Sequence, residues 1–230
     1  MEKCCIKHNF DEKSFVFSNI NKNDLVVLVS SIEDSFAIPQ AMVIKEVLNK
    51  GSFVVTARID NLTDVLSMFK VKPNLVITQS TLIDDVILKV GNDIKVTTFS
   101  CLFAKLKGDF DVMLKGINKL DTLNDGDKIL IAEGCFDRPT CKGIGRNEIP
   151  LMIKKYTNKE LVFDFVSGDE FPNYLNDYAL VVHCSGCMLS KDEILTRINL
   201  CASKNICITN YGLLICKTKG VLDKVIEDIK

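Results

Sequence analysis

The sequence predicts an α/β fold built as two small three-layer domains, each with a parallel, Rossmann-like sheet. Three observations carry that expectation. Short β-branched runs of strand length recur from Leu25 onward, segments with helical start and stop signals separate them, and a polar turn divides the alternation into two halves. Strand, helix, strand, helix order favours parallel pairing, because only a crossover of about a dozen residues returns a strand in the same direction.

Residues 1–23 show no clear period and read as an N-terminal arm, with Cys4, Cys5 and His8 as its only metal-binding side chains of note. Strands are expected at Leu25–Val29, Phe53–Ala57, Leu75–Thr78 and Lys95–Thr98. Between them, Ile38–Asn49 has Pro39 in its first turn and Gly51 just past its end, the usual asymmetry of a helix. Asn61 is placed to cap a helix over Leu62–Phe69, and Thr81 to open one over Leu82–Val90, which Gly91 ends. A helical stretch from Cys101 to Leu120 is interrupted near Gly108 and runs into Asn124-Asp125-Gly126-Asp127. That turn is the expected boundary between a domain over 24–124 and one over 125–230. The second half repeats the pattern, with strands at Lys128–Ala132, Leu161–Val166, Leu180–His183 and Cys207–Thr209 and helices near Glu148–Tyr156, Lys191–Lys204 and Val221–Ile229.

Composition narrows the function. Of 230 residues 47% are hydrophobic, enough for one large or two small cores, and Lys+Arg 29 against Asp+Glu 30 leaves no positive excess for nucleic acid. No apolar run reaches the roughly 18 residues that span a bilayer, and Met1–Phe10 is too polar for a signal peptide. The expectation is a cytoplasmic protein without nucleic-acid or membrane partners. In that reducing setting its ten cysteines should be thiols rather than a disulfide framework. Cys4, Cys5, Cys101, Cys201, Cys207 and Cys216 sit mostly among apolar residues, as small hydrophobes do. Cys135, Cys141, Cys184 and Cys187 lie instead in stretches with Gly, Pro or Ser, where a thiol is available to a ligand.

Ligands of open parallel sheets bind beyond the carboxyl ends of the strands. The strands ending at Ala132, His183 and Thr209 deliver Glu133-Gly134-Cys135-Phe136-Asp137, Cys184-Ser185-Gly186-Cys187 and Asn210-Tyr211-Gly212 to that edge. A Cys-x-x-Cys pair alone suits a redox dithiol, a zinc site or an iron–sulfur site. Zinc would take a fourth protein ligand from His183, Asp137 or Cys141; a cubane on three thiolates with an open corner fits best. The glycine-rich stretches Gly143-Ile144-Gly145 and Ser185-Gly186 are expected to aim backbone N–H groups at the sulfurs. No His-Glu-x-x-His, Gly-x-Ser-x-Gly or dinucleotide fingerprint points to an enzyme.

The run Ile131-Ala132-Glu133-Gly134-Cys135, then Ile144-Gly145-Arg146, Ile149-Pro150, Lys155-Tyr156-Thr157, Phe171-Pro172, His183-Cys184-Ser185-Gly186-Cys187-Met188-Leu189 and Ile208-Thr209-Asn210-Tyr211-Gly212, resembles HydF, the family of FeFe-hydrogenase maturation scaffolds. Asp24-Leu25-Val26-Val27-Leu28, Ile38-Pro39-Gln40, Leu75-Val76-Ile77-Thr78 and Phe99-Ser100 agree, so the resemblance spans 24–230. It implies a dimerisation domain followed by a cluster domain. Cys135, Cys184 and Cys187 would be the three thiolates of a 4Fe-4S cluster, with an exchangeable fourth site for a transient diiron subcluster. His183 matches the family's second histidine, Asp137 stands where its first would be, and Cys141 replaces a usually acidic position. Pro139 stiffens the short loop between Cys135 and Cys141, which favours the open corner over a fourth thiolate.

The family's GTPase domain has no counterpart, since no Gly-x-x-x-x-Gly-Lys-Ser/Thr occurs, and GTP hydrolysis is not expected. The implied partners are a second copy of the chain through residues 24–120, the hydrogenase, radical-SAM maturases or a separate GTPase. The alternative is a stand-alone redox or regulatory 4Fe-4S protein without the maturation role; structural zinc comes third.

Overall fold

The structure, a computed structural model, describes residues 20–31, 37–135, 143–186, 188–227 and 229. The first sheet contains β1 (Leu25–Ser30), β2 (Phe53–Arg58), β3 (Leu75–Thr78) and β4 (Lys95–Thr98), all parallel, in the order β2-β1-β3-β4. Its helices are α1 (Ala37–Asn49), α2 (Leu62–Ser67), α3 (Ile83–Val90) and α4 (Phe99–Lys107). After α5 (Phe110–Gly116) and a 3₁₀ segment at Ile117–Thr122 comes a second parallel sheet of β5 (Lys128–Glu133), β6 (Val162–Ser167), β7 (Tyr178–His183) and β8 (Cys207–Asn210), in the order β6-β5-β7-β8. A π turn at Ile144–Glu148 leads into α6 (Ile149–Thr157), and α7 (Lys191–Ser203), α8 (Tyr211–Thr218) and α9 (Leu222–Ile226) complete it.

The central strands are apolar without interruption because helices cover both faces. Val26–Val29 on β1 and Ile129–Ala132 on β5 are all buried, whereas Phe53, at the start of the edge strand β2, is 57% exposed. Alternate residues of β5 serve two clusters: Ile129 and Ile131 face Ile149 and Ile153 of α6, while Leu130 and Ala132 join a core continuous with β1, β3 and α4. The two sheets are therefore two units on one shared core. Among the described residues no helix is long and apolar enough to cross a membrane.

Two sequence expectations change. Asn61 does not cap α2; its Oδ1 accepts from the Arg58 N–H at 2.9 Å, closing a local turn instead. Asn210-Tyr211-Gly212, expected as a strand-end loop, begins α8: Asn210 Oδ1 caps the helix by accepting from Leu213 N at 2.9 Å. Tyr211 to Cys216 are buried all round, so this helix shows no amphipathic period. The turn at 124–127, read as the boundary, lies past a helical segment already packed on the second sheet, since α5 covers β8. Turn chemistry marks a reversal of the chain and carries no information about which sheet the preceding helix covers.

The thiols read as small hydrophobes behave so: Cys101, Cys201 and Cys216 are buried, and Cys101 of α4 meets Cys216 of α8 in a side-chain hydrogen bond. Cys207 is half-buried, and Cys4, Cys5 and His8 lie outside the described residues.

The contact of α5 with β8 depends on Gly116, where a Cβ would stand 2.0 Å from the Ile208 carbonyl oxygen. Helix propensity favours alanine over glycine by about 1 kcal/mol, but a backbone clash outweighs it. Gly116→Ala should destabilise the protein by about 2–4 kcal/mol in urea unfolding. A stability equal to or above that of the unchanged protein would show that α5 is free to move off the sheet.

Candidate functional site

In each sheet the chain leaves its first strand towards one edge and returns to the other side, so the order reverses between β1 and β3 and again between β5 and β7. Connections diverge at such a point and leave a crevice at the carboxyl ends of the two strands. In the second sheet that crevice is framed by the residues after β5, Gly134 and Cys135, and those after β7, Cys184 to Gly186.

The ladder itself brings Cys184 against Gly134, the residue before Cys135. Ala132 pairs with His183, and the Cys184 N–H donates to the Ala132 carbonyl at 2.8 Å, one residue beyond β7. Gly134 N–H then donates to Cys184 Sγ at 3.0 Å and Gly186 N–H at 3.3 Å. Two amide donors on one sulfur suit a thiolate held as a metal ligand. Both donors are glycines because the segments touch: a Cβ on Gly134 would lie 3.0 Å from Leu189 Cγ and 3.4 Å from Gly186 Cα. Gly186 has φ +64°, which an L side chain rarely adopts. The expected donors at Gly143 and Gly145 are displaced from this role. Gly143 opens the π turn with φ +73°, and Gly145 packs under the Tyr211 hydroxyl and Glu133 Oε1.

His183 is buried and has both ring nitrogens engaged. Nε2 lies 2.9 Å from Arg197 Nη1 and Nδ1 lies 2.7 Å from the Cys184 carbonyl. Guanidinium can only donate, so Nε2 is the acceptor and Nδ1–H donates to the carbonyl, the neutral tautomer. Burial agrees, pushing the imidazole down to about 4, helped by the Arg197 charge and opposed by the Cys184 hydrogen bond. This geometry leaves the ring no lone pair for a metal. His183, a candidate fourth ligand by sequence, braces the Cys184 backbone instead.

Two cations that sequence reasoning did not select support the same segment. Arg197 of α7 also donates to the Gly168 carbonyl and stacks 5.0 Å from the Phe171 ring centroid. Lys107 of α4 donates to the carbonyls of Gly186 at 3.1 Å and Leu189 at 2.8 Å. Both are buried. The available signal was a charge on an apolar stripe: Arg197 shares a helix face with Ile194, Ile198 and Cys201, and Lys107 follows Phe103 by one turn. On the other flank, buried Glu133 accepts from Ser167 Oγ at 3.5 Å and pairs with Arg146 Nε at 3.6 Å.

Cys187, Asp137 and Cys141 lie outside the described residues. Among the described residues no three Cys, His, Asp or Glu side chains gather as a metal site.

A family profile for the hydrogen maturase F dimerization domain matches residues 16–108, and one for the hydrogen maturase F tetramerization domain matches residues 110–228. The two profiles meet at Gly108–Asp109, where α4 gives way to α5. No curated protein matches the chain. Among solved structures, a periplasmic ribose ABC transporter from Conexibacter woesei DSM 14684 is 14% identical, covering 81% of this chain and 70% of that one with a TM-score of 0.29. An NtrC family transcriptional regulator from Clostridium acetobutylicum is 8% identical, covering 89% and 97% with a TM-score of 0.28. Neither likeness is close enough to carry an argument.

A Cβ on Gly186 would fall 2.4 Å from Ile194 Cδ1, in addition to the strain of its positive φ. Gly186→Ala should therefore destabilise the metal-free protein by about 2–3 kcal/mol. Ile194→Val removes Cδ1, so the double variant should be about 1 kcal/mol more stable than the two single losses sum to. Strict additivity in urea titrations would show that the two segments do not touch there.

Proposed function

The chain belongs to the hydrogen maturase F family, and from that premise we propose that it holds a 4Fe-4S cluster on Cys135, Cys184 and Cys187 as a scaffold for assembly of the FeFe-hydrogenase metal site. The two matched domains support a scaffold role in hydrogenase maturation and self-association of the chain. The observation that carries the finer reading is the pair of backbone donors, Gly134 N–H and Gly186 N–H, on the sulfur of Cys184 at the carboxyl edge beside Cys135. Thiols placed at a strand-order reversal, with glycine backbone packed close, fit an iron–sulfur group better than a redox dithiol, which needs no third cysteine.

When bound, such a cluster supplies an iron whose fourth ligand exchanges. The chain's own residues do the rest. Gly134 and Gly186 hydrogen-bond the Cys184 sulfur, while His183 and Arg197 hold its backbone. Glu133 with Arg146 secures the end of β5. Asp137 or Cys141 is the proposed occupant of the fourth corner, and an aspartate or solvent there keeps it open to a diiron cargo. The hydrogenase, radical-SAM maturases and a separate GTPase are the partners this reading calls for, in a cytoplasmic setting.

Anaerobic reconstitution with iron and sulfide, followed by electron paramagnetic resonance of the reduced protein, tests the reading. Cys135→Ser, Cys184→Ser and Cys187→Ser should each lose most of the iron, because a hard oxygen is a poor match for iron–sulfide. Cys201→Ser and Cys207→Ser should retain it. Stoichiometric zinc without iron or sulfide would sink the cluster altogether. Loss of the cluster in Cys141→Ala as complete as in Cys135→Ala would replace the open scaffold with a closed, four-thiolate redox protein.

The self-association is expected as a homodimer through residues 24–120, with the second unit free to pair dimers. Light scattering at micromolar concentration should give a multiple of the 25.7 kDa chain. A single-chain mass would remove it.

A further inference from the structure

Lys107 ends α4, in the unit matched by the dimerization profile, yet its ammonium lies inside the second unit. Burying an ammonium costs several kcal/mol unless acceptors replace its water. Here acceptors among the described residues are the carbonyls of Gly186 and Leu189, which lie on either side of Cys187-Met188 in the sequence, and the Phe103 ring centroid lies 5.5 Å away. Gly186 O also accepts from Leu189 N–H at 3.0 Å, while Gly186 N–H points to Cys184 Sγ. Gly186 is thus held through both of its backbone groups, its amide by the sulfur and its carbonyl by the lysine and Leu189.

We propose that Lys107 is a positioning residue that holds the segment after β7 in the conformation aiming the Gly186 amide at Cys184, and so couples the unit matched by the dimerization profile to the cysteine site. The part that concerns the cluster rests on the function proposed above; the part that concerns the segment does not. A fixed positive charge beside a cluster also favours its more reduced, more negative state.

Hydrogen exchange of the metal-free protein separates the two parts. In Lys107→Met, amides of residues 186–190 should exchange about tenfold faster or more, while β5, β7 and α7 keep their protection. Lys107→Arg, which keeps charge and donors, should restore most of the difference. In the reconstituted proteins the reduction potential should fall in Lys107→Met and stay near that of the unchanged protein in Lys107→Arg. Unchanged exchange at 186–190 in a folded Lys107→Met protein overturns the proposal, as does loosening spread evenly over the second sheet. The unchanged protein gives a second measurement that needs no variant: Lys107 should resist acetylation under conditions where exposed Lys155 reacts, and equal reactivity overturns the proposal. Failure of the unchanged protein to take up iron would count against the cluster reading alone, since the exchange result still decides the role of Lys107.

Discussion

The parallel ladder between β5 and β7 is the constraint on which the site depends. Parallel neighbours from which the chain departs in opposite directions leave their carboxyl ends uncovered by any connection, and here the ladder runs one bond further, from Cys184 N–H to the Ala132 carbonyl. That bond sets the height of Cys184 relative to β5. Once it is made, Gly134 is the residue whose amide reaches the sulfur, and Cys135 follows it without a spacer. Lengthening either strand end by one residue would turn the side chains to the opposite face.

Around this frame the buried charges contribute geometry more than stability. Hydrogen bonds to a charged group are worth about 1.5–3 kcal/mol each, while removing an ammonium or guanidinium from water costs several. Among the described residues Lys107 donates to two carbonyls, and Arg197 to one carbonyl and to His183, bonds that offset a cost of that size. What these bonds do is restrict. Arg197 fixes the tautomer of His183, and His183 in turn fixes the Cys184 carbonyl. Lys107 acts on the same segment through Gly186 and Leu189. A segment that must present sulfur with its backbone donors already oriented gains from such bracing, because nothing then has to reorder when a ligand enters.

The fold was largely legible in the sequence, and the losses have physical reasons. The eight strands among the described residues are legible from β-branched runs, since strands buried on both faces read as uninterrupted apolar segments. α8 was lost for the same cause in reverse: a helix apolar all round has no period, and Tyr211-Gly212 after a strand looks like a turn. That the residues after β5 and β7 share one edge was legible, because it follows from strand ends and parallel pairing alone. The hydrogen bonds of His183 were not, because they depend on Arg197, fourteen positions away in the chain. Lys107 was further beyond reach, since its contacts join elements of different sheets.

The two sheets share one topology, which isolates what the fold contributes from what the loops contribute. At the corresponding reversal of the first sheet, between β1 and β3, the strand ends present Ser31 and Gln79, whose Oγ and Oε1 approach at 3.5 Å. Hydroxyl and amide groups at that crevice make poor ligands for soft metals. The second crevice has the same backbone plan with cysteines and glycines, and it receives a buried cation from the first unit. The same architecture with different donors shows that the side chains at the strand ends, and not the fold, distinguish the two crevices. The first unit reaches that chemistry through α4, whose start is joined to α8 by Asn210 Nδ2 on the Ser100 carbonyl at 2.9 Å and whose end is Lys107. A helix pinned at both ends to the second unit thus ties the first sheet to the segment that follows Cys184.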